Sequence, residues 1–343
     1  KGRLKSEPIK AVRTDAGIVR FIRHKSQNLE YPIVQNLISN RAPDKTICVL
    51  TWTNDEALRV NGLLRQMQIP SRLIQSSDGF SLYDLAELRM FLKYTGRENH
   101  PIISDEQWEK AIADLKDKYE SSQYLDLVLS LLERFASVNE KKYRSDLEAF
   151  IRESQFADFC FPNDSEVVVS TIHKAKGHEF DCVYLMLNRV DLTENEKRRV
   201  LYVGMTRAKS ELYLHYNNHA FDSFSDDIID DPEMYPEPEQ ITLQLTHKDV
   251  VLNYFIPRKK LVFALHSGTV LTLHGKELYA QIGGKSYSVA MLSKAAQGTL
   301  NSLLAKGYHV QSARVRFVVA WRSQDDTAGQ EYAIILPDIF LEK

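Results

Sequence analysis

Two stretches of this 343-residue chain decide its fold. The first is SEVVVSTIHKAKGHEFDCVYLML, residues 165–187, and the second is EKRRVLYVGMTRAKSELYL, residues 196–214. Three consecutive valines, 167–169, predict a buried strand, and polar and charged side chains crowd directly after it. Open parallel sheets bind ligands at the carboxyl ends of their strands. The first stretch therefore predicts a binding edge as well as a strand.

The second stretch predicts a helix over 194–209 that leads into a strand over 211–216. The helical period sets Arg199 and Arg207 along related faces, while Leu201 packs inward. An arginine that projects from a domain edge can reach phosphate held by a neighbouring domain. Arg207 is thus a candidate phosphate contact, and the plain alternative for it is an ordinary surface ion pair.

The segments before these stretches alternate between strand and helix, which favours an α/β domain with a parallel sheet. The predicted elements are a strand over 17–24, a helix over 28–40, a strand over 46–52, a helix over 54–68 capped by Asn54 or Asp55, and a strand over 71–76. From about 82 to 154 the pattern is helical throughout. The sequence therefore predicts an α/β domain interrupted by a small helical insertion.

The last third of the chain has a different character. Residues 221–240 carry eight acids and no Lys or Arg, and their three prolines favour an interdomain linker. Residues 241–343 carry twelve Lys and Arg against seven acids, hence +5, although the whole chain is −2. Short strands are predicted there over 261–265, 269–273, 278–282, 286–291, 314–321 and 332–336, with one helix over 294–306. We expect a small β-rich, barrel-like domain that folds alone and serves docking.

Composition excludes several classes of protein. Hydrophobic residues make up 43% and charged residues 26%, as in a globular protein, and three cysteines without a C-x-x-C pair argue against a disulfide framework or a thiolate zinc site. No metal ligands are predicted. No apolar run approaches the length of a membrane helix, so we expect no membrane contact and a cytoplasmic location. The chain opens at Lys1, and we expect it to be a piece of a longer protein.

The two deciding stretches resemble motifs of the UvrD/Rep/PcrA type of superfamily-one DNA helicases. The family's fifth motif, T-x-H-x-A-K-G-x-E-F, matches Thr171 to Phe180, and its sixth, R-R-L-x-Y-V-G-x-T-R-A, matches Arg198 to Ala208 with Val200 in the leucine place. ICVLTWTN, residues 47–54, is a weaker match to the fourth motif. The resemblance covers about residues 7–217. It implies a RecA-like domain, the second motor domain of such a helicase.

The resemblance also implies roles for single residues. Arg207 would be the arginine finger to the ATP γ-phosphate, and Gly177 and Glu179 would approach the sugar and phosphate side of the nucleotide. Thr171, His173 and Lys176 would link the DNA track to the ATP site. The implied cofactor is ATP with Mg²⁺, and the implied partner is single-stranded or partly duplex DNA, in a DNA-repair setting. The plain alternatives are a capping role for Glu179, a strand-end histidine for His173 and a solvated charge for Lys176.

The parts of the motor that this sequence lacks are informative. A phosphate loop reads G-x-x-x-x-G-K-[ST], and the only G-K-[ST], at 284–286, has Tyr279 in the first glycine place, so we interpret it as a hairpin turn. No acidic D-E motif follows an early strand. We therefore expect the phosphate loop and the magnesium carboxylate to lie in a missing N-terminal motor domain, and this fragment alone to hydrolyse no ATP.

The chain also departs from the family pattern. Trp52 stands where the fourth motif has an arginine, and His178 replaces the usual leucine. These departures keep open a different class of function, a non-hydrolysing RecA-like scaffold that binds DNA or a protein partner. In the tail, Arg314 and Arg316 near Phe317 form either a basic and aromatic nucleic-acid face or a plain half-buried strand.

The predicted architecture is thus α/β, a RecA-like parallel sheet domain with a small helical insertion, followed by a β-rich domain. Its predicted parts are residues 1–80 and 161–218 for the RecA-like domain, 81–160 for the insertion, 219–240 for the linker and 241–343 for the terminal module.

Overall fold

The computed structural model of the chain describes residues 17–42, 44–74, 80–96, 101–159, 166–322 and 331–343. The chain divides into two compact units, each built from two separate segments. Unit 1 comprises Lys1–Leu73 and Pro162–Glu237, and unit 2 comprises Ile74–Phe161 and Pro238–Lys343. The two interruptions mean that each unit depends on pairing between segments that are distant in sequence.

The strands and helices are labelled in chain order. The strands are Ile18–His24 (β1), Ile47–Thr51 (β2), Ser71–Leu73 (β3), Ile102–Ile103 (β4), Lys142–Tyr143 (β5), Val167–Thr171 (β6), Phe180–Leu187 (β7), Ala208–Tyr216 (β8), Ile228–Asp231 (β9), Gln240–Gln244 (β10), Val270–His274 (β11), Glu277–Ile282 (β12), Lys285–Met291 (β13), His309–Arg322 (β14) and Glu331–Glu342 (β15). The α-helices are Glu30–Asn40 (α1), Asn54–Gln66 (α2), Ala86–Tyr94 (α3), Asp105–Tyr119 (α4), Leu125–Val138 (α5), Arg144–Glu153 (α6), Asn195–Met205 (α7), Lys259–Val262 (α8) and Lys294–Ala305 (α9). Short 3₁₀ helices cover Leu82–Asp84, Phe156–Phe159 and Leu252–Arg258.

Unit 1 is a seven-stranded sheet in the order β3-β6-β2-β7-β8-β1-β9, and every neighbouring pair runs parallel. The central strands β2 and β6 are buried along their whole length. Strands covered on both faces need such continuous apolar runs, which explains the valines of β6. The predicted RecA-like α/β class of this unit is confirmed.

The cap of helix α2 lies one residue before the earlier of the two caps predicted from the sequence. Thr53 caps it, because its side chain accepts from the Glu56 backbone N–H and the Glu56 carboxylate accepts from the Thr53 N–H in return. Asn54 and Asp55, the two predicted caps, lie inside the first turn. A reciprocal capping box satisfies two of the free amides at the helix start, and a single cap at Asn54 or Asp55 would satisfy fewer.

The acidic segment contributes to the sheet of unit 1. Its residues 228–231 form β9, which pairs in parallel with β1 at the sheet edge. Two side chains of β1 hold it: the Arg23 guanidinium binds the Asp230 carboxylate at 2.7 Å, and His24 contacts Asp231 at 2.7 Å. Part of the segment predicted as a linker is therefore a strand, because Asp230 meets the Arg23 cation and Asp231 meets the His24 ring on β1.

Unit 2 has a six-stranded antiparallel sheet in the order β10-β15-β14-β11-β12-β13, curled into a half-barrel, which confirms the predicted barrel-like form. Gly283 and Gly284 turn the β12–β13 hairpin with φ of +57° and +77°, so the Gly-Lys-Ser run spans the hairpin turn and the start of β13. The strand predicted over 261–265 is wrong. The segment starts within α8 and continues as a turn, because a short helical stretch buries Val262 and Leu265.

The helices of the insertion and the strands of the terminal segment share one core. The Phe317 ring on β14 lies 5.1 Å from Phe80, 4.8 Å from Tyr124 and 5.3 Å from Phe156, centroid to centroid. Burial of an aromatic ring among aromatic neighbours is a large stabilising contribution. Because Tyr124 and Phe156 come from the insertion and Phe80 directly precedes it, the shared core argues against the expectation that residues 241–343 fold alone.

Arg316 lies inside this unit rather than on a nucleic-acid face. Its side chain is 2% exposed, its Nε donates to the Asp338 carboxylate at 2.9 Å, and an Nη donates to the Leu245 carbonyl at 2.8 Å. The Arg314 guanidinium covers the Phe340 ring at 4.3 Å. Of the two readings of these arginines, the buried structural one holds for Arg316.

Candidate functional site

The chain between β6 and β7 is a tight crossover of residues 172–179. Turn hydrogen bonds order it, among them Ala175 N–H to the Thr171 carbonyl at 3.2 Å and His178 N–H to the Ala175 carbonyl at 3.1 Å. Ile172 and Ala175 are fully buried, whereas Lys176, Gly177 and Glu179 are exposed. Two apolar anchors therefore fix a loop whose polar residues face outward.

The structure brings the predicted nucleotide residues together. Arg207 directly precedes β8, and its Nη1 donates to the carbonyl of His178 at 3.2 Å. His178 is the residue between Gly177 and Glu179, so the bond joins Arg207 to the segment that contains both. The Arg207 carbonyl accepts from the Phe180 N–H at 2.9 Å, which begins the β7–β8 ladder. The fifth and sixth motifs thus meet at one point of unit 1.

This meeting point lies at the amino ends of β7 and β8, because Glu179 and Arg207 each precede the first residue of a strand. The sequence predicted that the polar residues of the first stretch lie at a carboxyl end of the sheet, and for Gly177 and Glu179 that placement is wrong. The reason is physical. Between two parallel strands the chain must return from the carboxyl end of the first to the amino end of the second. Residues 172–179 make that return from β6 to β7 within eight positions.

The guanidinium of Arg207 has N–H groups left over for a further hydrogen-bond acceptor. Within the described part of the chain it donates three hydrogen bonds, one from each nitrogen, to the Val203 carbonyl, the His178 carbonyl and the Thr206 hydroxyl. An arginine has five N–H groups, so two remain. The three bonds hold the plane of the fork, which prepares it for an anionic oxygen pair.

Two glycines of the motifs have distinct structural reasons. Gly177 has a φ of +94°, which L side chains rarely adopt, and a β-carbon there would meet nothing within 4 Å. At Gly204 a β-carbon would lie 3.0 Å from Leu185 and 3.3 Å from Ile172. Gly177 therefore permits the left-handed turn and leaves open space next to His178, whose carbonyl binds Arg207, whereas Gly204 allows α7 to approach the sheet closely.

The three residues predicted to couple DNA to the nucleotide divide between two places. Thr171 is buried at the carboxyl end of β6, opposite Thr51 of β2. His173 and Lys176 are exposed on the crossover. They belong to the same short segment as Gly177 and Glu179, so one stiff loop joins the carboxyl edge of the sheet to the Arg207 edge.

The fourth-motif segment contacts this loop in a way that sequence reasoning missed. Lys174 Nζ donates to the Asn54 side chain at 2.6 Å, and Ile172 N–H donates to the Thr51 carbonyl at 3.0 Å. Trp52, which replaces the family arginine, is half-buried, and its Nε1 has no hydrogen-bond partner within the described residues. The only available signal for the lysine contact was that the fourth motif ends in a polar Asn54.

Comparison with known proteins shows that the chain is similar to DNA helicases. Residues 98–219 match the family model of the UvrD-like helicase C-terminal domain. The chain is 26% identical over 245 residues to the ATP-dependent DNA helicase srs2 of Schizosaccharomyces pombe, covering 63% of this chain and 24% of that protein. It is 28% identical over 206 residues to a probable DNA helicase II homolog of Mycoplasma capricolum, covering 55% of this chain and 25% of that protein.

These findings confirm the resemblance to the carboxyl-terminal half of a UvrD-like superfamily-one helicase. The chain spans about a quarter of the length of the curated relatives it matches. In the described ranges, no group of three or more His, Cys, Asp and Glu side chains is arranged to hold a metal ion. A search of the same ranges for a helix with the length and hydropathy to cross a bilayer found none.

Proposed function

We propose that this chain is the carboxyl-terminal part of an ATP-dependent DNA helicase or translocase, to which it supplies the arginine finger and the DNA-coupling motifs. The observation that carries the proposal is the hydrogen bond from Arg207 to the carbonyl of His178, since it gathers the fifth and sixth motifs at one edge. The helicase relatives support the class of activity. In this proposal the phosphate loop and the Mg²⁺ carboxylate belong to an N-terminal motor domain.

The residues at this edge fit a nucleotide phosphate. The two remaining N–H groups of Arg207 can donate to an anionic oxygen, and the open space at Gly177 lets backbone come close to the ligand. ATP bound with Mg²⁺ supplies the scissile phosphoanhydride. Arg207 stabilises negative charge on the transferred phosphoryl group, and Glu179, exposed beside it, faces the sugar side.

The crossover of residues 172–179 can couple nucleotide binding to DNA binding. Thr171 and His173 lie at one end of the loop and Glu179 at the other, and buried Ile172 and Ala175 stiffen it. A displacement of the nucleotide end therefore moves the carboxyl edge as well. In the proposed cycle, closure of the two motor domains around ATP moves Thr171, His173 and Lys176 relative to a bound single strand.

The test uses the full-length protein with Arg207→Ala. DNA-stimulated ATP turnover should fall by about three orders of magnitude, as it does when an arginine finger is removed, while affinity for single-stranded DNA stays near that of the wild type. Arg207→Lys should restore little, because a point charge lacks the planar fork. The matched control is Arg65→Ala, which removes an exposed arginine of α2 and should leave turnover unchanged. Turnover above roughly a tenth of wild type in Arg207→Ala would assign the finger to another residue.

The second candidate function is a non-hydrolysing scaffold, and Trp52 is the observation that favours it. The fourth motif here offers an indole in place of a guanidinium, and the Glu56 carboxylate already accepts from the Trp52 backbone N–H at 3.1 Å. A full-length protein that binds DNA but shows no DNA-stimulated turnover even with Arg207 intact would establish this candidate. A protein partner for the β-rich segment and a cytoplasmic location remain predictions of the sequence.

A further inference from the structure

Within the described part of the chain, three hydrogen bonds hold the guanidinium of Arg207, and one of the acceptors is a side chain. Nε donates to the Val203 carbonyl at 2.9 Å, and Nη1 donates to the His178 carbonyl at 3.2 Å. Nη2 donates to the hydroxyl of Thr206 at 3.1 Å. A substitution at Thr206 therefore removes one of the three contacts and keeps the two that use backbone carbonyls.

The Thr206 hydroxyl is itself oriented by the end of α7. Its Oγ1 donates to the Val203 carbonyl at 2.9 Å. A hydroxyl has one proton, so with that proton given to Val203 the oxygen accepts from Arg207. Val203 lies in the last turn of α7, where the carbonyls have no N–H partner within the helix. The helix end thus orients the hydroxyl, and the hydroxyl holds Nη2.

The side chain of Thr206 is not needed to end α7. The backbone N–H of Thr206 caps the helix by donating to the Tyr202 carbonyl at 3.0 Å, and any residue except proline supplies such an N–H. Thr206 is exposed, so its methyl group buries little apolar surface. The bonds of the hydroxyl to Val203 and Arg207 are therefore what distinguishes threonine here from valine, which has the same shape.

The three bonds leave one N–H on each terminal nitrogen of Arg207, since each bond uses a different nitrogen. In the proposed function these two N–H groups donate to the transferred phosphoryl group. Donors stabilise a transition state best when they are in position beforehand, because they then need no reorganisation during the reaction. A bond that holds Nη2 should therefore affect the rate of phosphoryl transfer more than the binding of ATP.

We propose that Thr206 is a positioning residue for Arg207, and that its hydroxyl fixes the orientation of the guanidinium for phosphoryl transfer. The proposal rests on the proposed function, because it takes Arg207 to be the arginine finger. In this role Thr206 needs no contact with ATP or DNA and acts through Arg207. Its loss should thus matter only while Arg207 is present.

The first test measures DNA-stimulated ATP turnover of the full-length protein. Thr206→Val should lower kcat by about tenfold, the effect of one lost hydrogen bond to a charged group, and should change the KM for ATP by less than about twofold. Thr206→Ser keeps the hydroxyl and should retain at least about half of the wild-type kcat. Thr299→Val is the matched control and should change nothing, because Thr299 is also exposed and its hydroxyl also donates to a helix carbonyl, that of Ala295.

A double-variant comparison separates positioning from a structural role. Thr206→Val combined with Arg207→Ala should lower kcat by less than about twofold relative to Arg207→Ala alone, because the partner of the hydroxyl is already gone. Nitrogen-15 NMR of the 343-residue chain detects the same contact without turnover. Rotation of the Arg207 guanidinium about its Nε–Cζ bond should be slow in the wild type and in Thr206→Ser, and clearly faster in Thr206→Val.

Three results of the turnover measurements would each overturn the positioning role: wild-type turnover in Thr206→Val, an equal loss in Thr206→Ser, or a loss that persists in the Arg207→Ala background. Unchanged rotation of the guanidinium in Thr206→Val would also overturn it. None of these results touches the proposed function, provided that Arg207→Ala itself abolishes turnover. Turnover that survives Arg207→Ala contradicts the proposed function, and the positioning role falls with it.

Discussion

Unit 1 and unit 2 are each built from two separate chain segments, and the two units join their segments in different ways. In unit 1 the candidate site residues lie in short connections between parallel strands, and two motifs that are near each other in sequence meet at Arg207. In unit 2 the insertion and the terminal strands join through a core and through pairs such as Arg89 with Glu331, 242 positions apart. Sequence motifs reveal the first kind of organisation, because its members are local, and they are silent about the second.

The largest effect is expected when the two segments of unit 2 are separated. Residues 241–343 expressed alone should fail to fold cooperatively, because Phe317 and its neighbours on β14 would lose Phe80, Tyr124 and Phe156. The measurement is thermal unfolding followed by near-ultraviolet circular dichroism. Addition of a second chain covering residues 74–161 is the control and should restore a cooperative transition. A cooperative transition of the single piece would show that the shared core is dispensable.

Phe317→Ala sharpens the same comparison within the intact chain. Removing a fully buried aromatic ring should lower the free energy of unfolding by about 3–5 kcal/mol. Chemical denaturation should show the loss in the transition of unit 2, with the unit 1 transition unmoved. Phe340→Ala, at a less buried position under Arg314, is the matched control and should cost clearly less. Equal costs for the two variants would contradict the importance of the shared aromatic cluster.

Gly204→Ala tests close packing in unit 1. The added β-carbon would crowd Leu185 at 3.0 Å and Ile172 at 3.3 Å, so we expect a loss of about 1–3 kcal/mol in the free energy of unfolding. Gly62→Ala is the control. It lies within α2 with nothing near its β-carbon position and should stabilise the unit by about 0.5–1 kcal/mol. The same sign for both variants in denaturant unfolding would refute the packing argument.

The smallest effect concerns pH. Burial lowers the pKa of His24 and His215, so the folded unit binds fewer protons than the unfolded chain below the ordinary histidine value of about 6.5. The stability of unit 1 should thus be complete above pH 6.5 and decline as the pH falls, by up to about 1.4 kcal/mol per pH unit for each group. His24→Gln should flatten this decline, because it removes one of the two buried imidazoles. A profile that is flat between pH 7.5 and 5.5 in the wild type would contradict the buried neutral pair.

Much of unit 1 could be predicted from the sequence, because buried parallel strands and capped helices carry local patterns. The meeting of Gly177 and Glu179 with Arg207 also followed from the motifs. Their position at the amino ends of β7 and β8 did not follow from the motifs. A strand pattern shows where a strand ends, but it does not show how few residues connect that strand to the next. The pairing of Asp230 with Arg23 was hidden for a similar reason, because charge density alone predicts a solvated linker.

In unit 2 still less of the tertiary structure could be predicted from the sequence. The alternation along β14 predicted Arg314 and Arg316 on one face, but a bulge between Val315 and Phe317 interrupts it, and a strand pattern does not say what covers either side chain. Arg314 stands opposite Asp338 in the ladder, and Arg316 donates to the Asp338 carboxylate, 22 positions away in sequence. The strands could therefore be predicted from the sequence, but the partner that makes Arg316 structural could not.

The most direct test of the account compares ground-state and transition-state binding at the Arg207 edge. In the full-length protein, Arg207→Ala should change the Kd for ATP by less than about threefold and weaken ADP with aluminium fluoride, a mimic of the transferred phosphoryl group, by about 100-fold or more, because an arginine finger acts mainly on charge in the transition state. That result would support Arg207 as the finger. Equal losses for both ligands, or no loss for either, would contradict it.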